Sequence, residues 1–151
     1  MNKLLFATGR DAGAVIARLT LGLIIFPHGA QKVFGWFNGP GFEKEMHFFT
    51  TQLHLPWLVG LMVIITEFAG SLCLLAGLAA RCWALATIAL FTGIILLEHL
   101  QFGFFMNWFG NQKGEGFEYH LLVIGLALIV LLKGAGSLSA DRLIMPAAGR
   151  K

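Results

Sequence analysis

The stretch from Trp57 to Ala80 reads WLVGLMVIITEFAGSLCLLAGLAA and is closed by Arg81. About twenty consecutive apolar residues suffice to cross the hydrocarbon core of a bilayer as a helix, so this run alone removes most soluble folds from consideration. Near its middle stands one carboxylate, Glu67, with Gly60, Gly70, Ser71 and Gly77 on nearby faces. An acid at mid-membrane costs roughly 2.5–3.5 kcal/mol on insertion scales, so such a residue is expected to face protein, to pair and to act. The rest of the chain has to supply whatever Glu67 meets.

Composition agrees with a membrane protein. The 151 residues are 57% hydrophobic and 13% charged, with a mean hydropathy of +0.75, against about 25% charged in soluble domains. Fourteen Phe and nineteen Gly suit helices that pack closely and face lipid. The net charge is +3, but the basic residues sit at helix ends and form no patch, which excludes nucleic acid as a partner. Cys73 and Cys82 make no CxxC pair and fall near the same end of successive helices, as small residues in apolar surroundings rather than a disulfide framework.

Four spans follow, at about 12–34, 57–80, 82–105 and 118–136. The first has no A-x-A cleavage pattern after a short apolar core and is expected to be a retained helix rather than a signal peptide. Ala14, Arg18, Gly22, Gly29 and Lys32 share one stripe of it. Pro27 is expected to kink this helix, with His28 directly after the kink. The connection from Gly35 to Pro56 opens on turn chemistry, GWFNGPG, and then repeats Phe42, Met46, Phe49 and Leu53 at helical spacing. That pattern predicts a short helix in the interface plane or capping the bundle. Met106–Phe117 forms a second Gly- and Asn-rich loop.

Four spans put both termini on one side. Lys3, Arg10, Arg81, Lys133, Arg142, Arg150 and Lys151 lie there, against Lys32, Lys44 and Lys113 on the other. The positive-inside rule therefore places both termini in the cytoplasm. Trp36, Trp57, Trp83 and Trp108 fall at span ends, where an aromatic belt belongs.

At 1.5 Å of rise per residue, depth sorts the ionisable groups into two sets. The outer set is His28, Glu98, His99, Glu118 and His120, with Glu115 and Lys32 at its edge. Three imidazoles among carboxylates suit proton exchange with a quinone headgroup, or zinc or iron binding, or plain interfacial hydrogen bonding. The metal reading lacks any HExxH-like local spacing. The inner set is Arg18 with Glu67, either a structural ion pair or part of a proton or ligand site. The expectation is a pocket opening outward, with Glu67 as its floor and His28, His99 and His120 nearer the chemistry.

The chain resembles the DoxX family of small four-helix bacterial membrane proteins over nearly its whole length. The resemblance is carried by RLTLGLIIFPHGAQKVFGWF from Arg18, EFAGSLCLLAGLAAR from Glu67, EGFEYHLL from Glu115 and GAGSLSAD from Gly134. It implies an inner-membrane protein tied to redox chemistry, since related proteins look like subunits of a thiosulfate:quinone oxidoreductase or belong to oxidative-stress and thiol complexes. Three functions compete. The first is a redox-linked subunit with quinone in the polar pocket, where His28, Glu98, His99, Glu118 or His120 exchange protons and Arg18, Lys32 and Glu67 shape the site. The second is a non-enzymatic anchor for a soluble redox partner, held by the outer loops, with a homo-oligomer as a further partner. The third is a small proton-coupled carrier built on Glu67, for which four spans are few unless it dimerises.

Overall fold

The structure is a computed structural model that describes residues 11–144. Lys3, Arg10, Arg150 and Lys151, which entered the charge comparison, lie outside the described residues. Helix α1 (Ala12–Phe34) leads by an interfacial helix α2 (Phe42–His47) to α3 (Trp57–Ala76), α4 (Ala80–Phe102), α5 (Glu118–Lys133) and a short α6 (Ala140–Ile144). The fold is all-α, with no strand among the described residues. Helices α1, α3 and α4 are each long and apolar enough to cross a membrane. Helix α5 has 16 residues, or ~24 Å of rise, and packs lengthwise against α4 and α1.

The core is built from small and branched residues. Ala17, Leu21 and Ile25 of α1 meet Leu74, Ala84, Phe91, Val123, Ala127 and Val130. Between membrane helices the attraction is mainly close packing, which small residues permit. Two glycines of the α1 stripe set the closest approach. A Cβ on Gly22 would sit 3.0 Å from the Ser71 carbonyl, and one on Gly29 would sit 2.5 Å from the Phe68 nitrogen. The opposite faces carry exposed Leu23, Leu58, Leu96, Leu122 and Leu132, the surface that lipid covers.

The observed helix ends differ from the expected ones for local reasons. The second span stops at Ala76 rather than Ala80 because Gly77 takes the left-handed conformation, φ 68°. Gly77 N–H then donates to Leu74 O and Leu78 N–H to Cys73 O, the Schellman closure of a helix. Helix α4 can start at Ala80 because the Asp141 carboxylate accepts from Ala79 N at 2.6 Å and Ala80 N at 3.0 Å. Helix α5 ends at Lys133, before Gly134 with φ 84°.

The segment after α1 forms the expected short helix, continued by a π-helical turn over Phe48–Gln52. Met46 and Phe49 are buried with Ile64 of α3. Phe49 lies over Gly60, where an added Cβ would be 2.9 Å from its ring. Helix α3 outreaches α1 at this end: from the Gly29–Glu67 contact, α1 continues for about 7.5 Å to Phe34 and α3 for about 15 Å to Trp57. Helix α2 fills the difference and roofs the end of α1.

Candidate functional site

Helices α3 and α4 touch near one end, where Trp83 covers Gly70, and diverge toward the other. The gap is a cleft of about 540 Å³. One wall is Val59, Met62, Val63 and Thr66 of α3, and the other is Ala86, Leu90, Gly93, Ile94 and Leu97 of α4. Phe48 and Phe49 of the α2 segment close the top. Val59, Met62 and Leu97 at the rim are exposed, so the mouth lies on the flank of two membrane-spanning helices and faces the bilayer. Gly93 contributes empty space: nothing lies within 4 Å of where its Cβ would be.

The polar end of this apolar cleft is formed by Lys32, Glu45 and Glu67. Lys32 Nζ stands 2.8 Å from Glu67 Oε2 and 3.8 Å from Glu45 Oε1. The side chains are 17%, 7% and 14% exposed for Lys32, Glu67 and Glu45. Glu67 Oε2 is fully buried and, although within ion-pair distance of Lys32, accepts no aligned hydrogen bond. Burial pushes the Glu45 carboxyl above its ordinary range; the Lys32 charge pulls it back and Glu67 pushes it up further.

Backbone geometry aims these groups. Glu67 lies in a π-helical turn, Thr66–Gly70, inside α3, and a wider turn rotates side chains relative to an uninterrupted α-helix. A second such turn, Phe48–Gln52, supplies Phe48 and Phe49, and a third, Ile95–His99 in α4, supplies Leu97 and Glu98. All three border the cleft. Gly29 brings α1 against the Glu67 backbone, so Lys32, one turn later on the same face, reaches the carboxylate.

The expected inner pair does not form. Arg18 is 2% exposed, yet its guanidinium donates to backbone carbonyls: Ala135 at 2.7 Å, Leu74 at 2.9 Å, Leu75 at 2.6 Å, and Leu138. Leu74 and Leu75 lie in the last turn of α3, whose carbonyls carry the negative end of the helix dipole. Arg18 and Asp141 thus knit one end of the bundle, using the GAGSLSAD segment. Glu67 takes Lys32 instead, because the Gly29 contact sets it at the far end of α1.

The outer set separates into four. Glu98 lines the cleft, whereas His99, the next residue round α4, turns to α5 and packs on His120 with ring centroids 4.3 Å apart and planes tilted by 41°. His99 Nδ1 also lies 2.8 Å from the Glu115 carbonyl oxygen, and His120 Nδ1 is buried without a hydrogen-bond partner. Glu118 organises the preceding loop, accepting from Met106 N at 3.0 Å and Trp108 Nε1 at 3.3 Å. His28 points away, exposed on α1, one residue off the Gly29–Lys32 face. Among the described residues, no three His, Cys, Asp or Glu side chains converge as a metal ion would require. Glu45 is the site residue that the sequence does not single out: it lies off the Phe42, Met46, Phe49 and Leu53 face of the short helix, and no spacing ties it to Lys32.

A bundle of long apolar helices, with a cleft between two of them and a buried ion pair at the cleft's polar end, defines a small multi-pass membrane protein. The chain belongs to the DoxX family, whose model matches residues 13–100. It is similar to the inner membrane protein YqjF of Escherichia coli (strain K12), at 30% identity over 135 residues, covering 89% of this chain and 93% of that protein. No solved structure matches it. The protein is accordingly an integral, multi-pass inner-membrane protein.

Proposed function

We propose that this protein is a redox-linked membrane subunit that takes an isoprenoid quinone from the bilayer into the cleft between α3 and α4. The observation that carries the reading is the cleft itself: about 540 Å³ with apolar walls, a lateral mouth, and Lys32, Glu45 and Glu67 gathered at one end. That is the usual make-up of a small-molecule site, mostly apolar with a few convergent polar groups. The residues fit a quinone in kind. The α3 and α4 side chains would take the ring and tail, and Lys32 and Glu67 would hold the head and exchange protons at Nζ and Oε2. A bound quinone would supply the two-electron chemistry, and this chain's part is to bind, orient and protonate. Glu98 also lines the cleft and offers a third carboxylate beside Glu45 and Glu67.

The test is mass spectrometry of lipophilic molecules extracted from protein purified in mild detergent. The wild type is expected to carry a quinone, and Gly93→Leu, which fills the cleft without displacing a neighbour, is expected to lose it. Wild-type protein that is empty and also fails to bind ubiquinone or menaquinone analogues would refute the reading. We further propose that both termini lie in the cytoplasm, the orientation that the positive-inside rule predicts from the basic residues. Terminal reporter fusions check this, and activity of a periplasm-dependent reporter at either end would reverse it.

A second reading, a non-enzymatic anchor for a soluble partner, is favoured by one feature. The α4–α5 loop exposes Phe105, Trp108 and Phe109 together, and clustered aromatics are common at binding surfaces. Recovery of the protein always alone after gentle solubilisation would count against it.

A further inference from the structure

The polar end of the cleft is unbalanced in hydrogen-bonding capacity, and the imbalance specifies the head of the ligand. Its polar lining consists of Lys32, Glu45, Thr66, Glu67 and Glu98. An ammonium has three N–H donors, whereas each ionised carboxylate offers two oxygens with about four acceptor sites and no donor. Lys32 is already engaged between two carboxylates, at 2.8 Å and 3.8 Å. Glu67 Oε2 is buried and pairs with Lys32 without accepting an aligned hydrogen bond, so a carboxylate with about four acceptor sites keeps lone pairs open to a ligand donor.

We infer that the cleft selects a lipophilic molecule whose head donates a hydrogen bond from a neutral hydroxyl, the hydroquinone or phenol type, over the corresponding acceptor-only head. The inference rests on the quinone reading and sharpens it. A quinone carbonyl only accepts, so it can use a Lys32 N–H but brings no donor to an end that already holds three carboxylates. A quinol hydroxyl donates to Glu67 Oε2 and leaves the Lys32 contacts in place. An anionic head, such as a fatty-acid carboxylate, adds a further negative charge beside Glu45, Glu67 and Glu98 in a low-dielectric cleft, where like charges repel strongly. Lipid tails of many kinds fit the walls; only the donor head fits the end.

Three probes of matched length separate the possibilities without redox chemistry: a long-chain alkylphenol, its methyl ether and the corresponding fatty acid. Binding is measured at equilibrium in detergent, with Gly93→Leu as the reference for uptake by the micelle alone. The phenol is expected to bind roughly tenfold or more tighter than the ether, the range for a hydrogen bond to a charged group, with the fatty acid weakest. Glu67→Gln, which removes the charge but keeps the shape, is expected to shrink the phenol-to-ether ratio several-fold. If that variant fails to fold, the wild-type ratio still decides. An ether that binds as well as the phenol, or a fatty acid that binds best, overturns the donor preference while leaving the cleft as a ligand site. If no probe distinguishes wild type from Gly93→Leu, the cleft reading falls and this inference falls with it.

Discussion

Removing Lys32 while keeping Glu67 is the sharpest perturbation of the bundle. At 2.8 Å the two unit charges attract by about 6 kcal/mol at an effective dielectric constant near 20. Desolvation costs several kcal/mol per buried ion and offsets most of that gain, so the intact pair contributes little net stability. The asymmetry appears on breaking it: taking away one partner of a buried pair costs ~3–5 kcal/mol, because the other charge is left uncompensated. Glu67, 7% exposed, borders a cleft rather than a filled core, which puts Lys32→Met near the low end, about 3 kcal/mol. Lys32→Met combined with Glu67→Leu removes both charges of this pair and should recover most of that loss, with Glu45 alone left without its cation. The assay is a double-mutant cycle of unfolding free energies in micelles. A double mutant as unstable as the sum of its single variants would refute the pairing and the argument for the polar end of the cleft.

Gly29→Ala should destabilise by about 1–3 kcal/mol, the usual cost of overpacking, since its Cβ would fall 2.5 Å from the Phe68 nitrogen. Gly125→Ala, with nothing within 4 Å of the new atom, should be neutral or slightly stabilising, and thermal unfolding of the pair compares the two directly. Arg18→Lys should cost about 2–4 kcal/mol, because a point charge with a flexible stem cannot meet carbonyls from Leu74, Leu75, Ala135 and Leu138 together; an unchanged unfolding midpoint would contradict this. Asp11 caps α1 by accepting from Ala14 N, and that hydrogen bond, with Lys133 beside it, holds its carboxyl below the usual range. Its folded pKa being the lower one, its contribution is present above the ordinary carboxylate pKa and is lost as pH falls through the depressed value. The midpoint difference between wild type and Asp11→Ala should therefore shrink on acidification, and a difference that grows would reverse the sign.

Much of the frame was legible in the residues. The apolar runs predicted the long helices, and the Phe42, Met46, Phe49, Leu53 spacing predicted the short one that roofs α1. The burial of Glu67 followed from its position in the Trp57–Ala80 run, and its need for a partner from the cost of a lone charge in lipid. The partner itself was not legible. Arg18 is satisfied by backbone carbonyls, which every sequence possesses and none advertises. The outer set was assembled by depth alone, and depth does not say which way a helix is turned. Glu98 and His99 are neighbours in the chain, yet one lines the cleft and the other meets α5, and exposed His28 adjoins buried Gly29. The cleft exists because α3 and α4 meet at Gly70 and Trp83 and then spread, and divergence of two helices has no sequence period.

The π-helical turn at Thr66–Gly70 makes α3 two helical segments with independent phase. The Ser71–Ala76 half is keyed to α1 at Gly22, where the Ser71 carbonyl is the close contact, and the Trp57–Ile65 half is keyed to α2 at Gly60. Deleting one residue within the turn would convert it to ordinary α-helix and rotate one half against the other by about 100°. Both keys could not then engage at once, although every side chain outside the turn would be unchanged. The second span is therefore expected to tolerate many exchanges of apolar residues and very few changes of length, so that in a comparison of related chains its residue count between Gly60 and Ser71 should vary less than the identities of the residues in between.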